Sequence, residues 1–209
     1  AYTNRIRGDK AENIEEAIRL YEQALTVMTQ SAMPVEWAKT MMNLANAYTD
    51  RIRGDKGENI EEAIRHYTQA LTVYTQSAMP LEWAMTMMNL ANAYRNRIRG
   101  DKAENIEEAI RYYTQALTVY TQSAMPQDHQ DTLRNLNRLY FQNKRWGDVV
   151  TTSRQIIAVG KDIFASAYTD AGRQSALSDS SLAYTWLSYA LIQLGQYDEA
   201  LLALDAGKA

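Results

Sequence analysis

The hydrophobic positions of this chain recur at helical spacing. Ile60, Ala63, Ile64, Tyr67, Ala70, Leu71 and Tyr74 fall at i, i+3, i+4 and i+7, the stripe of a helix with one buried face. A second stripe, Trp83, Met87, Leu90, Ala91 and Tyr94, follows Pro80, whose missing N–H costs nothing in a first helical turn. The spacing predicts a helix from near Pro80 that stops by Gly100, a residue free to take the left-handed conformation that closes a helix. Asn59 with Glu62, Asn13 with Glu16 and Asn105 with Glu108 have the spacing of a capping box and predict the starts of the other helices. No period-2 run and no Asn-Gly or Asp-Gly hairpin signal stands out.

The two-helix pattern repeats. AYTNRIRGDKAENIEEAIR begins at Ala1, AYTDRIRGDKGENIEEAIR at Ala47 and AYRNRIRGDKAENIEEAIR at Ala93, a step of 46 each time. The first two units differ at only seven of 46 positions, so each must fold in nearly the same way. Pro34, Pro80 and Pro126 fall one per unit, and Tyr2, Tyr48, Tyr94 and Tyr140 carry the step into a fourth, diverged unit. The order is helix A, RIRGDK loop, helix B, SAMP turn. Neither helix buries its stripe alone, and stacked neighbours do, so the fold is an all-α solenoid of antiparallel helix pairs. The expected organisation is one array over 1–209: a truncated repeat at 1–34, repeats at 35–80 and 81–126, a diverged one at 127–170, and a C-terminal one at 180–209. Val149, Ser153, Ile156, Ile157, Gly160, Phe164 and Ala167 extend one helix from about Gly147 toward Tyr168. Ala171-Gly172 and Ser175–Ser181 predict a loop, followed by helices over Leu182–Gln193 and Tyr197–Leu204.

These residues resemble a tetratricopeptide repeat (TPR). Asn43-Leu44-Ala45-Asn46-Ala47-Tyr48 and Asn89-Leu90-Ala91-Asn92-Ala93-Tyr94 match the family's Asn-Leu-Gly-Asn-Ala-Tyr run with Ala for Gly. Ala63, Tyr67 and Ala70, then Ala109, Tyr113 and Ala116, match its second helix, and Leu194-Gly195-Gln196-Tyr197-Asp198-Glu199-Ala200 matches its turn. The departure is length, since the family repeat is shorter than 46. The resemblance implies a right-handed superhelix whose concave groove, lined by helix A, holds a protein or peptide segment. Its groove positions fall on Lys39, Met42, Asn46, Thr49 and Asp50, then Met85, Met88, Asn92, Arg95 and Asn96, then Asp131, Arg134, Arg138, Phe141 and Gln142. Asn offers donor and acceptor to a peptide backbone, and Met offers adaptable apolar contact. The competing reading has Asn46 and Asn92 bonding helix neighbours and the methionines packing between repeats. Arg95, Arg134 and Arg138, opposed mainly by Asp131, tilt the expected ligand toward an acidic segment. The long repeats also resemble those preceding caspase-like protease (CHAT) domains in bacterial multidomain proteins. That implies part of a larger bacterial protein, expected to be cytoplasmic, and the opening Ala1-Tyr2, the tail of a helix A, with the missing initiator Met suggests a cut fragment.

Charge and composition then remove alternatives. Lys+Arg is 22 against Asp+Glu 25, a net −3 over 209 residues, without the basic excess of a nucleic-acid binder. The RIRGDK loops do not change this: Arg51, Arg53 and Lys56 face Asp55, Glu58, Glu61 and Glu62, and no aromatics interleave. These charges are expected to bridge loop to helix across neighbouring repeats. There is no Cys, and only His66 and His129 are available for metal or acid–base chemistry. His66 gives way to Leu20 and Tyr112 in sister units, which marks a packing position, and His129 sits beside Asp128 and Asp131 near a helix start. The expectation is no enzyme, no cofactor and no metal. No run of 18 apolar residues suggests a membrane span.

The first helix B lacks its own helix A. Its stripe of Ile14, Ala17, Ile18, Tyr21, Leu25 and Met28 should leave a free apolar side. Were half of it exposed, burying it would supply roughly 5 kcal/mol against an association cost of about 4–15 kcal/mol. A homodimer through this truncated repeat would then depend on concentration, and the second functional reading is a self-association module with no separate groove ligand.

Overall fold

The computed structural model describes residues 8–167 and 169–208, and for residues 170–179 the backbone alone. Among the described residues nine helices and no strands are formed: α1 (Lys10–Leu25), α2 (Pro34–Asp50), α3 (Lys56–Ala70), α4 (Pro80–Arg95), α5 (Lys102–Ala116), α6 (Pro126–Gln142), α7 (Trp146–Ser166), α8 (Asp170–Gln193) and α9 (Tyr197–Ala206). They fall into two compact units, Ala1–Val119 with α1 to α5 and Tyr120–Ala209 with α6 to α9. In the first, α2 packs on α3 and α4 on α5 as antiparallel hairpins, with α1 against α2. In the second, α6 packs on α7, α7 on α8 and α8 on α9. This is an all-α helical-repeat solenoid fold.

Each repeat closes the same way because the same residues do the same work. Helix A of each repeat (α2, α4, α6) starts with Pro as its first residue. Its small residues lie in the packed interior: Ala38, Ala45, Ala84 and Ala91 are completely buried. Helix B of unit 1 buries Ile14 and Ile18, then Ile60 and Tyr67, then Tyr113. Each such large side chain contributes about 1.5–3 kcal/mol.

The helix B start is not where Asn-x-x-Glu spacing puts it. The N-caps are Asp9, Asp55 and Asp101, one turn earlier, each accepting from the backbone N–H three residues on. Asn13, Asn59 and Asn105 are buried instead. The Asn59 and Asn105 amides donate to the carbonyls of Arg53 and Arg99 at 2.9 Å and so hold the RIRGDK loop folded. Gly54 and Gly100 do take the left-handed conformation, φ 79°, but inside that loop. The helix before Gly100 has already ended at Arg95.

Two further expectations are overturned. The loop predicted at 171–181 is helical, since α8 runs unbroken from Asp170. Its Gly and Ser residues disfavour helix only weakly, and packing on α7 outweighs them. Nor does the whole α1 stripe stay open: its central residues are buried, while Tyr21, Leu25 and Met28 are partly buried. Ile14, Ala17 and Ile18 are 1–5% exposed, and the first packs with Ile18, Leu44 and Ala47 in one cluster that Tyr21, Leu25 and Tyr48 flank.

Candidate functional site

Helix A of successive repeats carries Asn at i and i+3: Asn43 and Asn46 on α2, Asn89 and Asn92 on α4. That spacing puts each pair on one helix face. In unit 1 these faces, with Tyr21 of α1, Thr49, Asp50, Tyr67, Arg95 and Asn96, line a cleft of about 520 Å³.

The orientation of the amides follows from their neighbours. The Tyr67 hydroxyl donates to Asn46 Oδ1 at 2.5 Å, and Asn89 Nδ2 points to the same oxygen at 3.3 Å. One repeat on, Tyr113 donates to Asn92 Oδ1 at 2.6 Å while accepting from Arg95 Nη1 at 3.5 Å. Burial pushes the Tyr67 hydroxyl up to about 12, so it stays a donor at any physiological pH. With both carbonyl oxygens taken, the Nδ2 groups of Asn46 and Asn92 remain as donors along the cleft, at equivalent positions of successive repeats. The alternative that these Asn bond helix neighbours is thus realised on the oxygen side only.

The remaining expected groove residues are distributed differently. Asn46, Asn92, Arg95 and Asn96 meet in the cleft, with Thr49 and Asp50. Lys39 is exposed away from its lining, and Met85 and Met88 are partly buried outside it. Met42 is buried, its sulfur accepting from the Thr86 hydroxyl at 3.6 Å. Arg134 and Arg138 belong to unit 2, where Arg134 pairs with Asp131 at 2.6 Å. Tyr21, Asn43, Tyr67 and Asn89 are cleft residues that the groove positions missed. The Asn-x-x-Asn repeat was the signal that could have found two of them.

The loop charges bridge repeats as their sequence suggested. Arg51 grips both carboxylate oxygens of Glu15 at 2.8 Å, and Arg97 grips Glu61 at 2.8 and 2.9 Å. Each guanidinium also lies over a tyrosine, Tyr48 or Tyr94, at 5.6 and 5.5 Å. These hydrogen bonds hold Glu15 and Glu61 below the usual carboxylate range. A cluster already satisfied in this way has few donors left for phosphate.

His66 is buried, stacked on Tyr48 at 5.7 Å with Nδ1 3.3 Å from the Met41 sulfur. Burial, with Arg65 beside it, lowers it from 6.5 to about 4, Glu62 opposing at 3.7 Å. The unfolded chain therefore takes up a proton below about pH 6.5 that the folded chain refuses until about pH 4. Stability should be complete above pH 6.5 and fall by about 3 kcal/mol on going to pH 4. His66→Tyr should flatten that slope in urea unfolding followed against pH, because Tyr112 already packs on Tyr94 at the sister position, 5.4 Å between rings. His129 is a structural donor, its Nδ1 2.6 Å from the Tyr120 carbonyl. Among the described residues no group of three or more His, Asp or Glu side chains could hold a metal, and no helix is long and apolar enough to cross a membrane.

Residues 10–199 match the family described as "Soluble NSF attachment protein, SNAP". No curated protein sequence matches the chain. Among solved structures it is similar to BtubC (BKLC) from P. vanneervenii, 18% identical, covering 95% of this chain and 76% of that one at a TM-score of 0.70. A crystal structure of MamA is 16% identical over 97% of this chain and 94% of its own, TM-score 0.61. A second MamA structure is 16% identical over 94% and 81%, TM-score 0.60. At these identities the likeness is one of fold, a TPR-type helical repeat, a kind that commonly mediates protein–protein interaction.

Proposed function

The chain belongs to the soluble NSF attachment protein (SNAP) family, and from that premise we propose that it is a non-catalytic interaction scaffold whose unit 1 cleft holds an extended segment of a partner protein. The observation that carries the reading is the pair of Asn Nδ2 donors at equivalent places on α2 and α4, each fixed by a tyrosine on its oxygen. Such a ladder suits backbone carbonyls, which every peptide carries, and leaves selectivity to Arg95 and Asp50 in the lining. Arg95 supports a preference for an acidic residue there. The resemblance to repeats before caspase-like (CHAT) domains supports a place in a larger cytoplasmic bacterial protein, with this array as its recognition part. Self-association through α1 has less to work with, since its central stripe is already buried and, among the described residues, no large apolar side chain within α1 is exposed, Val27 just beyond its end being 75% exposed.

The test uses peptides selected from a random library on the full chain. Asn46→Asp with Asn92→Asp keeps an acceptor for each tyrosine and turns the outward donor into an acceptor. Calorimetry should show affinity falling about tenfold or more, with the thermal melt unchanged. Peptides that all bind the double variant as tightly as the parent would remove the cleft assignment.

A further inference from the structure

Unit 2 presents a helix A face of different chemistry. Arg138 and Phe141 of α6 stand where α4 has Asn92 and Arg95, 46 residues earlier. Phe141 meets Trp146 at 5.5 Å, Trp186 at 6.3 Å and Tyr189 at 5.2 Å, and Trp146 meets Tyr189 at 5.6 Å. These are ring-to-ring contact distances, so no slot remains between the rings for an intercalated base or a caged ammonium. Their outer surface stays open: Tyr189 is 46% exposed, with Ile192 at 48% beside it on α8. Residues 180–193 of α8 carry no charge at all.

The cations around this platform are not equivalent. Arg134 is held by Asp131 and Arg145 by Asp148, at 2.6 and 2.7 Å. Arg138 is exposed, one turn from Phe141, and makes no ion pair among the described residues. We propose that this face is a docking surface for a partner protein segment that lays a large apolar side chain on Phe141, Trp186 and Tyr189 and sets a carboxylate against Arg138. Charge selects that occupant. A basic segment finds only Asp131 and Asp148, both already bound, and a single-stranded nucleic acid finds at this face, among the described residues, one unpaired arginine on a chain of net charge −3. The surface lies wholly in unit 2 and does not depend on the cleft reading.

Peptides from a random displayed library are selected on the full chain, then measured against Tyr189→Ser, which removes the half-exposed ring, and Arg138→Glu, an exposed change; circular dichroism checks that both variants still fold. The expected peptides carry a large apolar residue within a few positions of Asp or Glu and bind each variant about tenfold more weakly. Replacing that acid by Lys should restore binding to Arg138→Glu, which mere loss of structure would not do. Asn46→Asp with Asn92→Asp should leave these peptides unaffected, which separates this surface from the cleft. The proposal is overturned by no enrichment above background, by peptides indifferent to both variants, or by an oligothymidine that binds and is lost in Tyr189→Ser. It is equally overturned if light scattering shows a dimer that Tyr189→Ser dissociates, since the occupant would then be a second copy.

Discussion

Gly160→Val is expected to destabilise unit 2 by about 3 kcal/mol or more, the upper end of overpacking in a tight core. Gly160 is buried in α7 and faces Ser180 of α8. A Cβ there would stand 2.2 Å from the Ser180 hydroxyl oxygen and 3.0 Å from Gln130 Nε2. Ser180 can swing aside, but Gln130 is fully buried and donates to the Ile156 carbonyl at 3.2 Å, so it has nowhere to go without losing that bond. Alanine should therefore cost less than valine, whose two methyl groups must displace α8 itself. Hydrogen exchange read by mass spectrometry should show α7 and α8 losing protection at the lower denaturant concentrations while α2 and α3 keep theirs. Parental protection in the valine variant would mean that α8 does not approach α7 at Gly160.

Tyr113→Ala should cost about 4 kcal/mol and Tyr67→Ala nearly the same, as for other fully buried aromatics. The two rings are 0% and 2% exposed and occupy the same place in successive repeats, each with its hydroxyl on the Asn of helix A. Tyr→Phe at either site keeps the ring and should cost only about 1 kcal/mol, the net value of one hydrogen bond, because cleft water can reach the freed amide. Urea unfolding of the four variants separates packing from hydrogen bonding. Alanine and phenylalanine variants of equal stability would contradict the burial of these rings as the source of repeat cohesion.

The repeat was legible because its signal is redundant. Stripe, proline and turn all recur every 46 residues, so each copy checks the others. What failed was local. Asp55-Lys56-Gly57-Glu58 and Asn59-Ile60-Glu61-Glu62 both have a capping residue three before Glu, and only the burial of Asn59 against the loop decides between them. The Ser-rich stretch before Leu182 looked like loop because helix propensity is a weak prior, outvoted here by the α7 contact that Gly160 permits. The groove asparagines were readable from the family pattern. The division of labour between their oxygen and nitrogen was not, since it depends on tyrosines 21 residues away on the next helix. The aromatic platform of unit 2 was less readable still. Its rings come from α6, α7 and α8, and of these only Phe141 stood at a groove position.

The most direct measurement follows the side-chain amide resonances of Asn46 and Asn92 while a selected peptide is titrated into isotope-labelled protein. The cleft reading predicts that both shift, together and with the same apparent Kd as the peptide's own signals. Asn46 and Asn92 resonances that stay unmoved at saturation with every selected peptide would contradict it and place recognition outside the unit 1 cleft.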